Sequence, residues 1–323
     1  MNSMNRVRSW LRSWPAWVYF RRLQRIGWMH NLHRWRIVPR ILKTRPIHTQ
    51  PVGDQARRPC EVHLLTWDGD WQFALWAAKS FYYYADVDWP LVWHEGGSLR
   101  PAYRAVLKRH FPQSLVLTAV DATNGVEAEL TRGGFTRCLD ARRRSFMLMK
   151  MIDCVVLSNA RRLLLLDSDV LFFNMPEELT AAGTSDLSKN LFNRDKGSWY
   201  TIPREAAKAR YGIDLIPELN AGLGLVRRES LTLPMMEEFL ADPDILSEPW
   251  LTEQTLQALC GSRVGVELLP ETYLVSQSPG LTTSEGAPLV SKHYPGVGRH
   301  LLYEEGMTQL IRCGFLEALS CPV

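Results

Sequence analysis

The sequence predicts an α/β fold, a mostly parallel sheet with helices on both faces, preceded by a basic helical arm. Three observations predict it. Between residues 60 and 166, short apolar runs alternate with segments of helical spacing. Two of those runs, ending at Trp67 and Leu166, open onto strongly polar loops. The charge is also divided: residues 1–58 hold 13 Lys/Arg against one acid, Asp54, and the other 265 residues hold 25 against 33 acids. The 323 residues, 46% apolar and 22% charged with 21 Gly and 19 Pro, have ordinary globular makeup, which excludes a collagen-like, disulfide-dense or mostly disordered chain.

The arm carries five of the 12 tryptophans (Trp10, Trp14, Trp17, Trp28 and Trp35), interleaved with arginine at helical spacings. Arginines on one side and aromatics on another suit a helix lying on an anionic membrane surface through residues 4–43. The competing reading packs the aromatic side against the body or a second subunit. No run approaches the roughly 20 apolar residues of a membrane span. The best run, Trp14 to Phe20, contains Pro15 and lacks a small-residue cleavage site, so neither a transmembrane helix nor a signal peptide is expected. Nucleic acid is not expected as a partner, because the body is acidic. Thr44 to Pro59, with three prolines and few apolar residues, reads as a linker into a domain spanning 59–323. Six cysteines scattered without a C-x-x-C pair read as a reduced, cytoplasmic protein, peripheral on the inner membrane face if the arm binds there.

Along the body, Glu61–Trp67 is a strand ended by Asp68-Gly69-Asp70, and Trp71–Tyr84 is a helix with Phe73, Leu75, Trp76 and Ala77 recurring towards Phe81. Pro90–His94 is a strand, Arg100–Phe111 a helix and Ser114–Val120 a third strand. Arg143–Asn159 is a helix rich in Met and Leu, and Arg162–Leu166 is a very apolar strand. A β-α-β-α-β order of this kind binds ligands at the carboxyl ends of its strands.

The most informative stretch is RRLLLLDSDVLFF, from Arg161 to Phe173. Two carboxylates two residues apart, at the mouth of a strand buried on both faces, repel each other and resist ionising together. A divalent cation resolves the conflict, and oxygen ligands suit Mg²⁺ or Mn²⁺. The bland alternative has Asp167 and Asp169 capping a turn or the next helix. Haloacid-dehalogenase-type phosphatases also place D-x-D after an apolar strand, with the first Asp as nucleophile. Here, however, Leu171 stands where they have Thr or Val, and at least three strands come first.

Downstream lie LNAGLGL (Leu219–Leu225), LTEQTLQAL (Leu251–Leu259) and SKHYPGVGRH (Ser291–His300). With LLLLDSDVLF, in this order and at these separations, residues 60–310 resemble GT-A-fold glycosyltransferases, above all family 8 and its bacterial relatives. The resemblance implies that Asp167, Asp169 and His293 bind a metal, Mn²⁺ or Mg²⁺, on a nucleoside-diphosphate sugar. It implies that Arg299, after Gly296, contacts the diphosphate, and that Asn220, Ala221 and Gly222 lie along the donor sugar. Glu253 and Gln254, in the family's D-Q position, would act at the sugar and its anomeric carbon. Lys150, 17 positions before the D-x-D, would touch the donor, and Thr66 to Asp68 would approach the base. Glu253 for Asp, Arg299 for Lys and His300-Leu301 for Pro-Trp depart from the family pattern.

Bland readings stand beside these: a turn at Asn220–Gly222, a solvated first helical turn at Glu253-Gln254, and a surface lysine at Lys150. The implied reaction transfers a sugar to a hydroxyl acceptor (glycan, lipid-linked sugar or protein) with retention, if the family 8 likeness holds. Inversion would require a base, for which Asp195, Glu304 and Glu305 are candidates. The polar, aromatic segment Thr184–Tyr211 is the expected acceptor side. A catalytically silent subunit that scaffolds a membrane assembly through its arm is the alternative from another class.

Overall fold

A computed structural model describes residues 28–52, 60–184 and 189–320. Trp10, Trp14, Trp17, Cys321 and the second half of the expected linker lie outside them. Ten strands form one sheet: β1 (Cys60–Thr66), β2 (Leu91–Glu95), β3 (Leu115–Leu117), β4 (Arg162–Leu166), β5 (Val170–Phe172), β6 (Asn190–Arg194), β7 (Leu219–Arg227), β8 (Val266–Leu268), β9 (Tyr273–Val275) and β10 (Ser291–His293). Their order is β3-β2-β1-β4-β7-β6-β9-β10-β5, with β8 beside β6. The β3-β2-β1-β4 half is parallel throughout, as expected. β7 runs antiparallel between β4 and β6, and β5 antiparallel beside β10.

Why β4 is so apolar is visible in its packing. Leu164 and Leu166 enter one core, with Val62, Leu64, Trp76 and Phe81. Leu163 and Leu165 enter the other, with Met151, Ile152 and Leu256. All four leucines are fully buried, at about 2 kcal/mol each. The chain steps from β1 to β2 on one side and returns through β4 on the other. The crevice beyond their carboxyl ends is therefore the topological switch point, where such sheets bind ligands.

The helices used below are α1 (Trp28–Ile37), α2 (Trp71–Ala85), α3 (Pro101–His110), α4 (Ala119–Arg132), α5 (Thr136–Arg144), α6 (Phe146–Leu157), α7 (Glu177–Thr184), α8 (Arg204–Tyr211), α9 (Leu233–Phe239) and α10 (Pro249–Val264). Proline sets the first turn of α3 and α10, where a missing N–H costs nothing. The Thr118 hydroxyl accepts the N–H of Asp121 and so caps α4, which stops the expected strand at Leu117 instead of Val120. The long helix expected over 143–159 is two helices, α5 and α6, broken at Ser145 in extended backbone.

Residues 38–50 of the basic arm and linker pack on the body. Val38 and Ile41 are buried in the core beside Trp76, whose indole N–H donates to the Val38 carbonyl at 2.9 Å. Residues 44–50, read as linker, form a strap: Ile47 N–H donates to His110 O and Gln50 N–H to Asp88 O, while the buried Lys79 ammonium donates to Arg45 O. On α1, Leu32 and Trp35 stay exposed. No helix among the described residues is long and apolar enough to cross a membrane. Among them Cys60, Cys138, Cys154, Cys260 and Cys313 are all free thiols.

Candidate active site

Two polar loops meet at the switch point. The loop after β4 carries Asp167, Ser168 and Asp169; the loop after β1 carries Asp68 and Asp70. β7 brings a third segment, since Leu223 pairs with Leu166 and the Asp167 N–H donates to Gly222 O at 2.8 Å. β10 brings a fourth, and the N–H of Tyr294 donates to Asp169 O. One ligand atom from each of Asp167, Asp169 and His293 lies within 4.8 Å of the others.

Each member is held by named partners. The Lys150 ammonium, 1% exposed, donates to Asp167 Oδ1 at 2.6 Å and lies 3.0 Å from Glu253 Oε1. Burial opposes charge on Lys150, but Asp167 and Glu253 more than restore it, and its pKa is raised. Burial pushes the Glu253 carboxyl up to about 7 in spite of Lys150. Burial would also raise Asp169, but Arg299 and His293 outweigh it and hold that carboxyl down at about 2. Burial opposes protonation of His293, and Asp169, 3.2 Å from Nε2, drives its pKa up.

A relay orients His293. Asn220 Nδ2 donates to Asp195 Oδ2 at 2.9 Å, which turns Asn220 Oδ1 toward the imidazole. That oxygen can only accept, and it already takes the Gly222 N–H at 3.0 Å. His293 Nδ1, 2.8 Å away, therefore carries a hydrogen. Nε2 is left to meet Asp169 or to give its lone pair to a cation. Gly222 makes room, because a Cβ there would stand 2.3 Å from His293 Cε1.

Arg299 closes the other side. Its guanidinium reaches Ser168 Oγ at 2.7 Å, Asp70 Oδ2 at 3.2 Å and Asp169 Oδ2 at 3.5 Å. The turn that carries it starts at Gly296, whose φ of +56° favours glycine. Asp70 also accepts from Ser168 Oγ, Thr66 Oγ1 and the Trp67 N–H. Asp70 is thus a hub that the sequence reading overlooked. Its place in a D-x-D after β1, like that of Asp169 after β4, was the available signal.

The other expected site residues have partners within the chain. Thr66 is fully buried and serves Asp70. Asp68 accepts both the N–H and the Nε–H of Arg100. Asn220–Gly222 is strand, not turn, and Lys150 is interior, not surface. Glu253 and Gln254 do not sit in a solvated first turn: they are 2% and 8% exposed. Gln254 accepts from the Ala221 N–H and donates to Trp199 O, so it ties β7 to the 195–202 loop. Of the candidate bases, Asp195 is engaged by Asn220 and Glu305 by Lys292 at 2.7 Å.

In structure the chain is similar to mouse xyloside xylosyltransferase 1, with a TM-score of 0.48 and 13% identity over 77% of this chain and 98% of that one. It is similar to the galactosyltransferase LgtC, solved with donor and acceptor sugar analogues (TM-score 0.40, 15% identity, 73% and 87% covered). It is also similar to the mannosyltransferase Ktr4p of S. cerevisiae (0.43, 10%, 88% and 90%). No family model and no curated protein matches the chain.

Proposed function

We propose that the chain is a GT-A-type glycosyltransferase that moves a sugar from a nucleoside-diphosphate sugar to a hydroxyl acceptor. The carrying observation is the convergence of Asp167, Asp169 and His293 at the switch-point crevice, beside Arg299. Two carboxylates and an imidazole whose Nδ1–H is already committed form a donor set that fits Mn²⁺ or Mg²⁺. Bound there, the ion would offset charge on the departing diphosphate.

The chain's own residues do the rest. Arg299 adds a fixed positive charge beside the carboxylates, aimed at phosphate oxygens. Lys150 holds Asp167, and Glu253, buried behind it, acts through Lys150 instead of touching the sugar. Asp195 and Asn220 set the His293 ring. Gln254 is a positioning residue for the strand that passes the sugar. Retention is the stereochemistry this reading favours, because of the candidate bases Asp195 accepts from Asn220, Glu305 from Lys292, and Glu304 is engaged as well. The acceptor side falls to the 195–202 loop, where Trp199 is 58% exposed on backbone pinned by Gln254. A histidine converging on both aspartates favours a metal over an aspartyl nucleophile of the phosphatase kind.

The test is nucleotide-sugar hydrolysis or transfer with Mn²⁺, with chelator, and in Asp167→Asn/Asp169→Asn. Loss of turnover in the last two is expected. Unchanged activity in the double variant would remove the metal-site assignment.

A further inference from the structure

One residue of the basic arm reaches the crevice. Arg34, on α1, sets its guanidinium carbon 5.1 Å from the centre of the Phe73 ring, and that of Arg299 lies 5.5 Å from the same ring. Helix α1 is held against the body by His33 Nε2, 3.3 Å from Thr308 Oγ1, and by the contact of its ring with Tyr303. With Asp68, Gly69, Asp70, Gln72 and Tyr103, Arg34 lines a cleft of about 240 Å³.

The charges along this cleft are not alike. Asp68 is engaged by Arg100, and Asp70 by Thr66, Ser168 and Arg299. Arg34 pairs with no carboxylate among the described residues. A guanidinium resting on an aromatic ring keeps its N–H edge free for an anion.

We propose that Arg34 binds a phosphate of a nucleoside diphosphate, so that the arm helix completes the donor pocket. This rests on the reading of the crevice as a nucleotide-sugar site. Arg34 presents a planar fork to the cleft, and planar forks match phosphate oxygens; Arg299, on the same ring, is held by Ser168, Asp70 and Asp169. Asp68, which among the described residues accepts only from Arg100, keeps acceptor lone pairs for hydroxyls. The pocket therefore suits a ligand with ribose hydroxyls and phosphates together, not a bare anion.

The experiment uses the full chain with Mn²⁺. Wild type, Arg34→Ala and Arg34→Lys are titrated calorimetrically with UDP and GDP, and with uridine and guanosine. Arg34→Ala is expected to weaken the preferred diphosphate about tenfold, Arg34→Lys less, and the nucleoside not at all. An unchanged melting temperature of the unliganded variants shows that they fold, and Arg34→Lys carries the test if Arg34→Ala does not. Diphosphate affinity within twofold of wild type overturns the inference and leaves the reading of the site intact. An equal loss for nucleoside and diphosphate overturns it too, because Arg34 would then only shape the pocket. A loss confined to acceptor KM in a transfer assay would move the phosphate to the acceptor and overturn it as well. Wild type that binds none of the four ligands sinks the site reading and this inference together.

Discussion

Gly222→Ala puts a methyl group where the His293 ring already stands. The new carbon would lie 2.3 Å from Cε1 and 2.4 Å from Nδ1. Ordinary carbon contacts need about 3.5 Å, so the ring must retreat by about 1 Å. It is tethered at both nitrogens, at 2.8 Å to Asn220 and 3.2 Å to Asp169, and any retreat breaks one of these. Overpacking of this kind costs about 1–3 kcal/mol of stability. Losing the orientation of a ligating histidine costs about 10–100-fold in metal affinity. The same strand supplies a matched control. A Cβ at Gly224 would meet Phe192 Cε1 at 2.4 Å, in the core and away from His293. Gly224→Ala should lose similar stability and keep its Mn²⁺ affinity. The assays are denaturant unfolding and a calorimetric Mn²⁺ titration of wild type and both variants. Gly222→Ala binding Mn²⁺ within twofold of wild type, or Gly224→Ala weakening it equally, would refute the assignment of His293.

Lys150→Met should destabilise the chain by about 3–5 kcal/mol, because it strands a buried Glu253 without its counter-charge. Adding Glu253→Gln should recover much of that loss, and a double-mutant cycle in denaturant measures it. Burial depresses Lys79 to about 7 from 10.5, so the folded chain gives up this proton before the unfolded chain does. Its linkage makes stability rise between about pH 7 and 10.5 and leaves it level below 7, where both states hold the proton. Lys79→Met should flatten that rise, read as the pH dependence of the difference in unfolding free energy.

The parallel half of the sheet was legible because β1 and β4 each end a dense apolar run at an aspartate. The convergence of Asp167, Asp169 and His293 was legible through the resemblance, which joined the D-x-D to His293. Helix α4 was missed because it buries only Ala122, Val126 and Leu130 along an otherwise polar stretch. Asn220 read equally well as a turn residue, since its place depends on β7 inserting antiparallel beside β4, a pairing that no local pattern announces. The competing reading of Glu253 as a solvated first-turn acid drew on helix position and residue type. Only the tertiary fold shows Lys150 beneath it.

The packing of residues 38–50 on the body changes where the molecule can be divided. A chain begun at residue 59, the junction suggested by composition, would carry every strand of the sheet. It would nonetheless leave the Trp76 indole and the Lys79 ammonium without their acceptors. It would also open a hole where Val38 and Ile41 plug the interior, and take away the wall that holds Arg34 over the cleft. Any shortened version of this protein that keeps its interior closed has to begin ahead of Val38, and one that also keeps Arg34 over the cleft has to begin within or ahead of α1.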